Sequence, residues 1–106
     1  MIIYINSTIT KTKEMFSCVS KAIDCIYDIT NGISNGDTID ANVMNFANES
    51  DWLTFSKGVT NSLSNPYITA LTNDELIFNF RNYDFRVTHQ GNRIYVNASV
   101  RRAIIN

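Results

Sequence analysis

Between residues 76 and 100 apolar and polar side chains alternate in three successive runs. Leu76, Phe78 and Phe80 alternate with Ile77, Asn79 and Arg81. Tyr83, Phe85 and Val87 alternate with Asp84, Arg86 and Thr88, and Ile94, Val96, Ala98 and Val100 alternate with Arg93, Tyr95, Asn97 and Ser99. A period of two sends successive side chains to opposite faces, so the runs predict three half-buried strands. Gly91-Asn92 between the last two predicts a two-residue type II′ hairpin, because glycine takes the positive φ of its first position without a Cβ clash. That turn sets a register in which Val87 opposes Val96, Phe85 opposes Ala98 and Tyr83 opposes Val100. A slip of one residue would set apolar against polar throughout. The connection around Arg81-Asn82 holds two residues or four, and either keeps Phe78 and Phe80 on the shared apolar face. The prediction is an antiparallel meander, apolar on one face and polar on the other.

Upstream, Ile2 to Ile5 is apolar on both faces and predicts a short covered strand. Ser7, Thr8 or Thr10 then caps a helix to about Thr30, with Met15, Phe16, Val19, Ala22, Ile23, Ile26 and Ile29 as its apolar stripe. Asn31-Gly32 stops it, and Glu14, Lys21, Asp24 and Asp28 fall on its outer face. After an Asn35-Gly36 turn, Asp37 or Thr38 caps a shorter helix with Ile39, Val43, Met44 and Ala47 inward. Asn48 or Ser50 starts another, in which Trp52, Phe55, Val59 and Leu63 fall at helical spacing. Gly58 in its interior weakens a helix by roughly 1 kcal/mol relative to alanine, and so marks a close helix approach. Asn65-Pro66 ends this helix. Tyr67 to Leu71 fits two descriptions: a helical turn begun by Pro66, or a strand followed by a Thr72-Asn73-Asp74-Glu75 turn. Arg101 to Asn106 is a tail or an extension of the last strand.

The order of elements predicts an α+β fold, with an N-terminal short strand and helices packed on one face of a mostly antiparallel sheet ending in a three-stranded meander. The 106 residues suit a single domain, 1 to 106, and 44% hydrophobic content is enough for a core without cross-links. Cys18 and Cys25 are seven residues apart on one helix, about 10 Å along its axis, and so read as reduced core thiols. No run is long enough to span a membrane, and the start lacks a basic segment ahead of its apolar residues, so the expected location is cytoplasmic.

The sequence carries no catalytic, metal or nucleotide motif. Its one histidine, His89, sits beside the hairpin turn and reads as solvent-exposed, with no nucleophile-elbow pattern to pair with it. The four glycines are scattered singly, so no phosphate-cradling loop is present. The expectation is a non-enzyme without cofactor or metal.

Charge is polarised although the net value is −1. Residues 14 to 75 carry nine acids against Lys21 and Lys57, whereas residues 76 to 106 carry five arginines against Asp84. Strand parity gathers Arg86, Arg93 and Tyr95 on the polar sheet face, with Arg81, Arg101 and Arg102 nearby and Ile77 as an apolar centre. Arginine and tyrosine are enriched at protein interfaces, and they can also stack bases and grip phosphates. The expected function is protein binding, with nucleic-acid binding through the same face as the second reading. Glu14, Asp24 and Asp28 form an alternative acidic face, suited to a partner whose own groove binds nucleic acid. Abundant Asn and Ile over Ala and Gly is the usage of an AT-rich genome. Small non-catalytic proteins of such genomes include phage and mobile-element inhibitors of host defence, of anti-CRISPR or anti-restriction kind, acting in the host cytoplasm.

Overall fold

No Gly or Pro interrupts residues 2 to 30, and in the computed structural model Ile2–Thr30 is one continuous helix, α1. The structure describes residues 2–41 and 44–100, the first nine of these by backbone alone. The expected N-terminal strand is therefore replaced by helix. A short apolar run signals a buried strand or a helical turn equally well, and nothing after Ile5 breaks the backbone. Ser7, Thr8 and Thr10 are interior helix positions rather than caps. The helix ends where expected: the Ile33 amide donates to the Asp28 carbonyl at 2.8 Å and the Gly32 amide to that of Ile29 at 3.1 Å, a Schellman pair.

Cys18, Ala22, Cys25, Ile26 and Ile29 form the buried line of α1, with Met15, Val19, Ile23 and Tyr27 partly buried beside it. The two free thiols are core residues, as their spacing suggests. Phe16 departs from the expected stripe and is 77% exposed. It lies more than a third of a turn round the helix from the Cys18–Ala22–Ile29 line.

Gly36–Asp40 is strand β1, where a capped helix was expected. It pairs antiparallel with the last strand, from Gly36 opposite Asn97 to Asp40 opposite Arg93. Five residues carry little helical preference of their own, and an unpaired strand edge offers each of them backbone partners, so tertiary pairing overrides the local signal. Ile39 turns inward and Thr38 and Asp40 outward. Met44 is buried as expected, Ala47 is exposed, and Val43 lies outside the described residues. The segment after β1 crosses the tip of the last hairpin, where the Ala41 amide donates to the Asn92 carbonyl and that of Phe46 to Gly91, both at 2.8 Å.

Asn48 caps α2, Glu49–Ser62, its Oδ1 accepting from the Ser50 and Asp51 amides at 3.0 and 3.3 Å. Lys11 meets Asp51 at 3.1 Å, and Val19 meets Gly58, so the two helices run side by side in the same direction. A Cβ built on Gly58 would sit 3.0 Å from Val19 Cγ2, which is the close approach that the glycine forecasts. Leu63 is already extended, ahead of Asn65-Pro66.

Tyr67–Leu71 is strand β2, which settles that ambiguity. The turn after it is held by Thr72, whose Oγ1 accepts from the Asp74 and Glu75 amides at 3.2 and 3.1 Å. Strands β3 (Glu75–Phe80), β4 (Tyr83–Gln90) and β5 (Arg93–Val100) form the predicted meander. Val87 opposes Val96, Phe85 opposes Ala98 and Tyr83 opposes Val100, as the turn argument requires. The first connection holds two residues, with Phe80 opposite Tyr83 and both Arg81 and Asn82 at positive φ, a type I′ turn. Gly91 has φ +59.

The sheet order is β1-β5-β4-β3-β2, antiparallel throughout. Its inner face, from Leu76, Phe78, Phe85, Val87, Ile94 and Val96, joins Trp52, Phe55 and Val59 of α2 and the buried line of α1 in one core. The fold is α+β, helices on one face of the sheet. No described element packs on the other face, the open face of the sheet.

Candidate interaction face

The open face follows from strand parity. Register sets Arg86 between Ile77 and Asn97, Tyr95 between Thr88 and Thr38, and Arg93 between Gln90 and Asp40. Arg86, Arg93 and Tyr95 thus share one surface, as the sequence predicts. Neither arginine stands alone. Arg86 forms an ion pair with Glu75 of β3 through Nε and Nη2, and Arg93 Nε lies 2.9 Å from Asp40 Oδ1 of β1. A side-chain hydrogen bond to Tyr95, and then the charge of Asp40, raise the pKa of Arg93 above its ordinary value.

This corrects the expected split between acidic helices and a basic sheet. Asp37 and Asp40 lie on β1 and Glu75 on β3, so three of the acids assigned to the helical part belong to the sheet. A helix begun at Asp37 or Thr38 keeps Asp40 out of the sheet, and a Thr72–Glu75 turn keeps Glu75 out of the strand that holds it. Pairing it with Thr88 on the polar side of the meander would have placed it beside Arg86.

Arg81 does not join this face. Its guanidinium lies over the Tyr27 ring of α1, 4.9 Å from the centroid, and 5.2 Å from that of Phe80, so the turn directs it to the helix side. Arg101 and Arg102 lie outside the described residues. Of the alternative acidic set, Asp24 and Asp28 face Asp37 and Asp40 across a cleft also lined by Lys21 and Ser34, and Glu14 is not part of it. Among the described residues, no group of His, Cys, Asp and Glu is placed to hold a metal ion.

His89 is not the exposed turn residue that its position suggests. It has the parity of Phe85 and Val87 and turns toward the helices. Its ring lies 4.5 Å from Trp52 and 6.4 Å from Phe46, centroid to centroid. Nε2 donates to the Asn73 carbonyl at 2.6 Å, and Nδ1 is enclosed without a partner. The Trp52 indole donates to the neighbouring Thr72 carbonyl at 2.6 Å, so Trp52 fastens the β2–β3 turn to α2 and His89 fastens it to β4. Burial pushes the thiol of Cys25 up to about 11 and raises that of Cys18, away from the reactive thiolate.

A second surface was not foreseen. Between α1 and α2 runs a largely apolar groove of about 560 Å³, lined by Met15, Phe16, Val19, Met44 and Gly58, with Lys11 and Asp51 paired at its rim. Its signal was the position of Phe16 off the core line.

The fold and its open face thus define an α+β domain with a mixed arginine, tyrosine and aliphatic surface. Compared with known protein families, curated proteins and solved structures, the chain matches none. No helix among the described residues is long and apolar enough to cross a membrane.

Proposed function

We propose that this chain is a non-catalytic binding module that associates stoichiometrically with a protein partner through the open face of its sheet, centred on Arg86, Arg93 and Tyr95. The observation that carries this reading is that Arg86 and Arg93 are each held by an acid of a neighbouring strand. A phosphate would have to displace Glu75 or Asp40 to bind them, whereas a protein surface can meet an ordered pattern of both signs. Nucleic acid is the second reading for that reason. The partner class that residue usage favours is a host factor or defence complex, with the chain as a phage- or mobile-element inhibitor of anti-CRISPR or anti-restriction kind in the host cytoplasm.

Gel-shift titration with single- and double-stranded DNA and RNA over a salt series tests the second reading. Phosphate binding weakens steeply with salt, and a salt-sensitive complex lost in Arg86→Glu with Arg93→Glu would displace the proposal. The expected result is no shift. Capture of a stoichiometric partner from host lysate, abolished by the same folded double variant and kept by Asp24→Lys with Asp28→Lys, supports the sheet face. Loss in the helix variant alone moves the contact to the acidic cleft.

A further inference from the structure

The two edges of the sheet differ in a way that the face does not reveal. β1 carries Asp37 and Asp40, both exposed. Acidic side chains on an edge repel a second strand, a common protection against edge-to-edge pairing. β2 carries no charge in Tyr67–Leu71, and among the described residues β3 is its one strand neighbour. No described strand pairs with the backbone groups on its far side, which a further strand can meet. Three of its five side chains are large, apolar and exposed: Tyr67 at 70%, Ile68 at 46% and Leu71 at 38%.

Register decides what can pair there. Ile68 opposes Phe78 and Leu71 opposes Leu76, so both lie on the inner, apolar side of the sheet, where they stay exposed. Between them a bulge at Thr69 shifts the register, and Thr69 Oγ1 donates back to the Ile77 carbonyl at 3.2 Å. Tyr67 and Ala70 remain on the outer side, opposite Asn79 and Ile77.

We infer that β2 is a strand-pairing edge for a second copy of this chain, joined antiparallel about a two-fold axis between Thr69 and Ala70. That axis sets Ile68 opposite Leu71 of the second copy, and Leu71 opposite its Ile68. Inner side meets inner side, and the apolar rows Leu76–Leu71 and Phe78–Ile68 continue across the junction. In an isologous contact residue i meets j and j meets i, and the uncharged β2 brings no like charges together there. Two β1 edges would confront acid with acid. The contact is small: five residues per copy bury less than the ~800 Å² per partner of a standard stable interface, and the bulge shortens the bonded stretch further. The association is accordingly weak and governed by concentration.

Sedimentation equilibrium on the whole chain, from about 1 μM to about 1 mM, should show the average mass rise from one copy toward two. Ile68→Lys with Leu71→Lys places charge on the edge and should hold the chain at one copy throughout, while Phe16→Ser should leave the rise unchanged. Hydrogen exchange of the unaltered chain gives an independent reading: amides of Tyr67–Leu71 should slow with concentration and those of Gly36–Asp40 should not. A single-copy mass over the whole range, a rise that survives the lysine pair, or β2 exchange independent of concentration overturns the inference. Loss of the rise in Phe16→Ser alone overturns it too, and moves the contact to the groove between α1 and α2.

Discussion

Gly58 shows how one absent side chain positions two helices. Val19, stiff at χ1, faces it from α1. Gly58→Ala gains helix propensity of about 1 kcal/mol but puts its Cβ against both methyls of Val19, and the clash should prevail, lowering stability by about 1 kcal/mol. Denaturant titration of a double-mutant cycle checks this: in a Val19→Ala background the same substitution should stabilise. Cys25 gives a second residue-scale expectation. Burial first, and then Asp37 and Asp28, raise its folded pKa from 9.0 to about 11. The folded state therefore holds this proton more tightly than the unfolded one, so the contribution is intact below pH 9 and fades as pH rises toward 11. Melting midpoints over that range should fall more steeply for the wild type than for Cys25→Ala. At this scale the sequence spoke unevenly: Gly58 and the thiols were legible from spacing alone. His89 and Phe16 were not, because exposure depends on which element lies opposite.

Among the elements, the meander was readable down to its register because three local signals coincide there: alternation, a two-residue turn and matched apolar partners. α2 was readable from its spacing and its Asn48 cap, and α1 from its spacing and its Asn31-Gly32 stop, whereas the cap expected at Ser7, Thr8 or Thr10 and the helix expected after Asp37 or Thr38 are not found. What failed were the short stretches, Ile2–Ile5 and Gly36–Asp40, where four or five residues cannot fix their own conformation and the neighbour decides. The helical start of α1 has a direct check. If Ser7 and Thr8 lie inside a helix, Ser7→Ala with Thr8→Ala should leave stability unchanged or raise it by a few tenths of a kcal/mol. A cap lost at either would lower it by about 1 kcal/mol, and urea midpoints distinguish the two. At α2 the opposite holds: Asn48→Ala removes a cap in use and should cost about 1 kcal/mol.

For the molecule as a whole, the misread strand also misplaced charge. With β1 in the sheet, Asp40 of β1 and Glu75 of β3 stand beside Arg93 of β5 and Arg86 of β4, and the open face carries pairs of opposite sign. That Arg86, Arg93 and Tyr95 share one face was thus legible, while the turn of Arg81 toward the helix side and the electrostatic state of the face were not, since these depend on neighbours far apart in sequence. An exchange of partners tests the face as a pattern: Arg86→Glu with Glu75→Arg keeps an ion pair and the fold but inverts the local sign. Circular dichroism should be unchanged and partner capture lost. The sheet order carries a further consequence, for the time course of folding. β2 through β5 close by short turns, whereas β1 has β5 as its one strand neighbour among the described residues and must bring Asp40 to Arg93 across the whole of α2 and the meander. Long closures are slow to form. Pulse-labelled refolding should find β1 amides protected after those of β4 and β5. In that interval β5 is itself a bare edge carrying Ile94 and Val96, open to capture by the β2 of a neighbouring molecule, so aggregation on refolding should grow with concentration and be relieved by Ile68→Lys with Leu71→Lys.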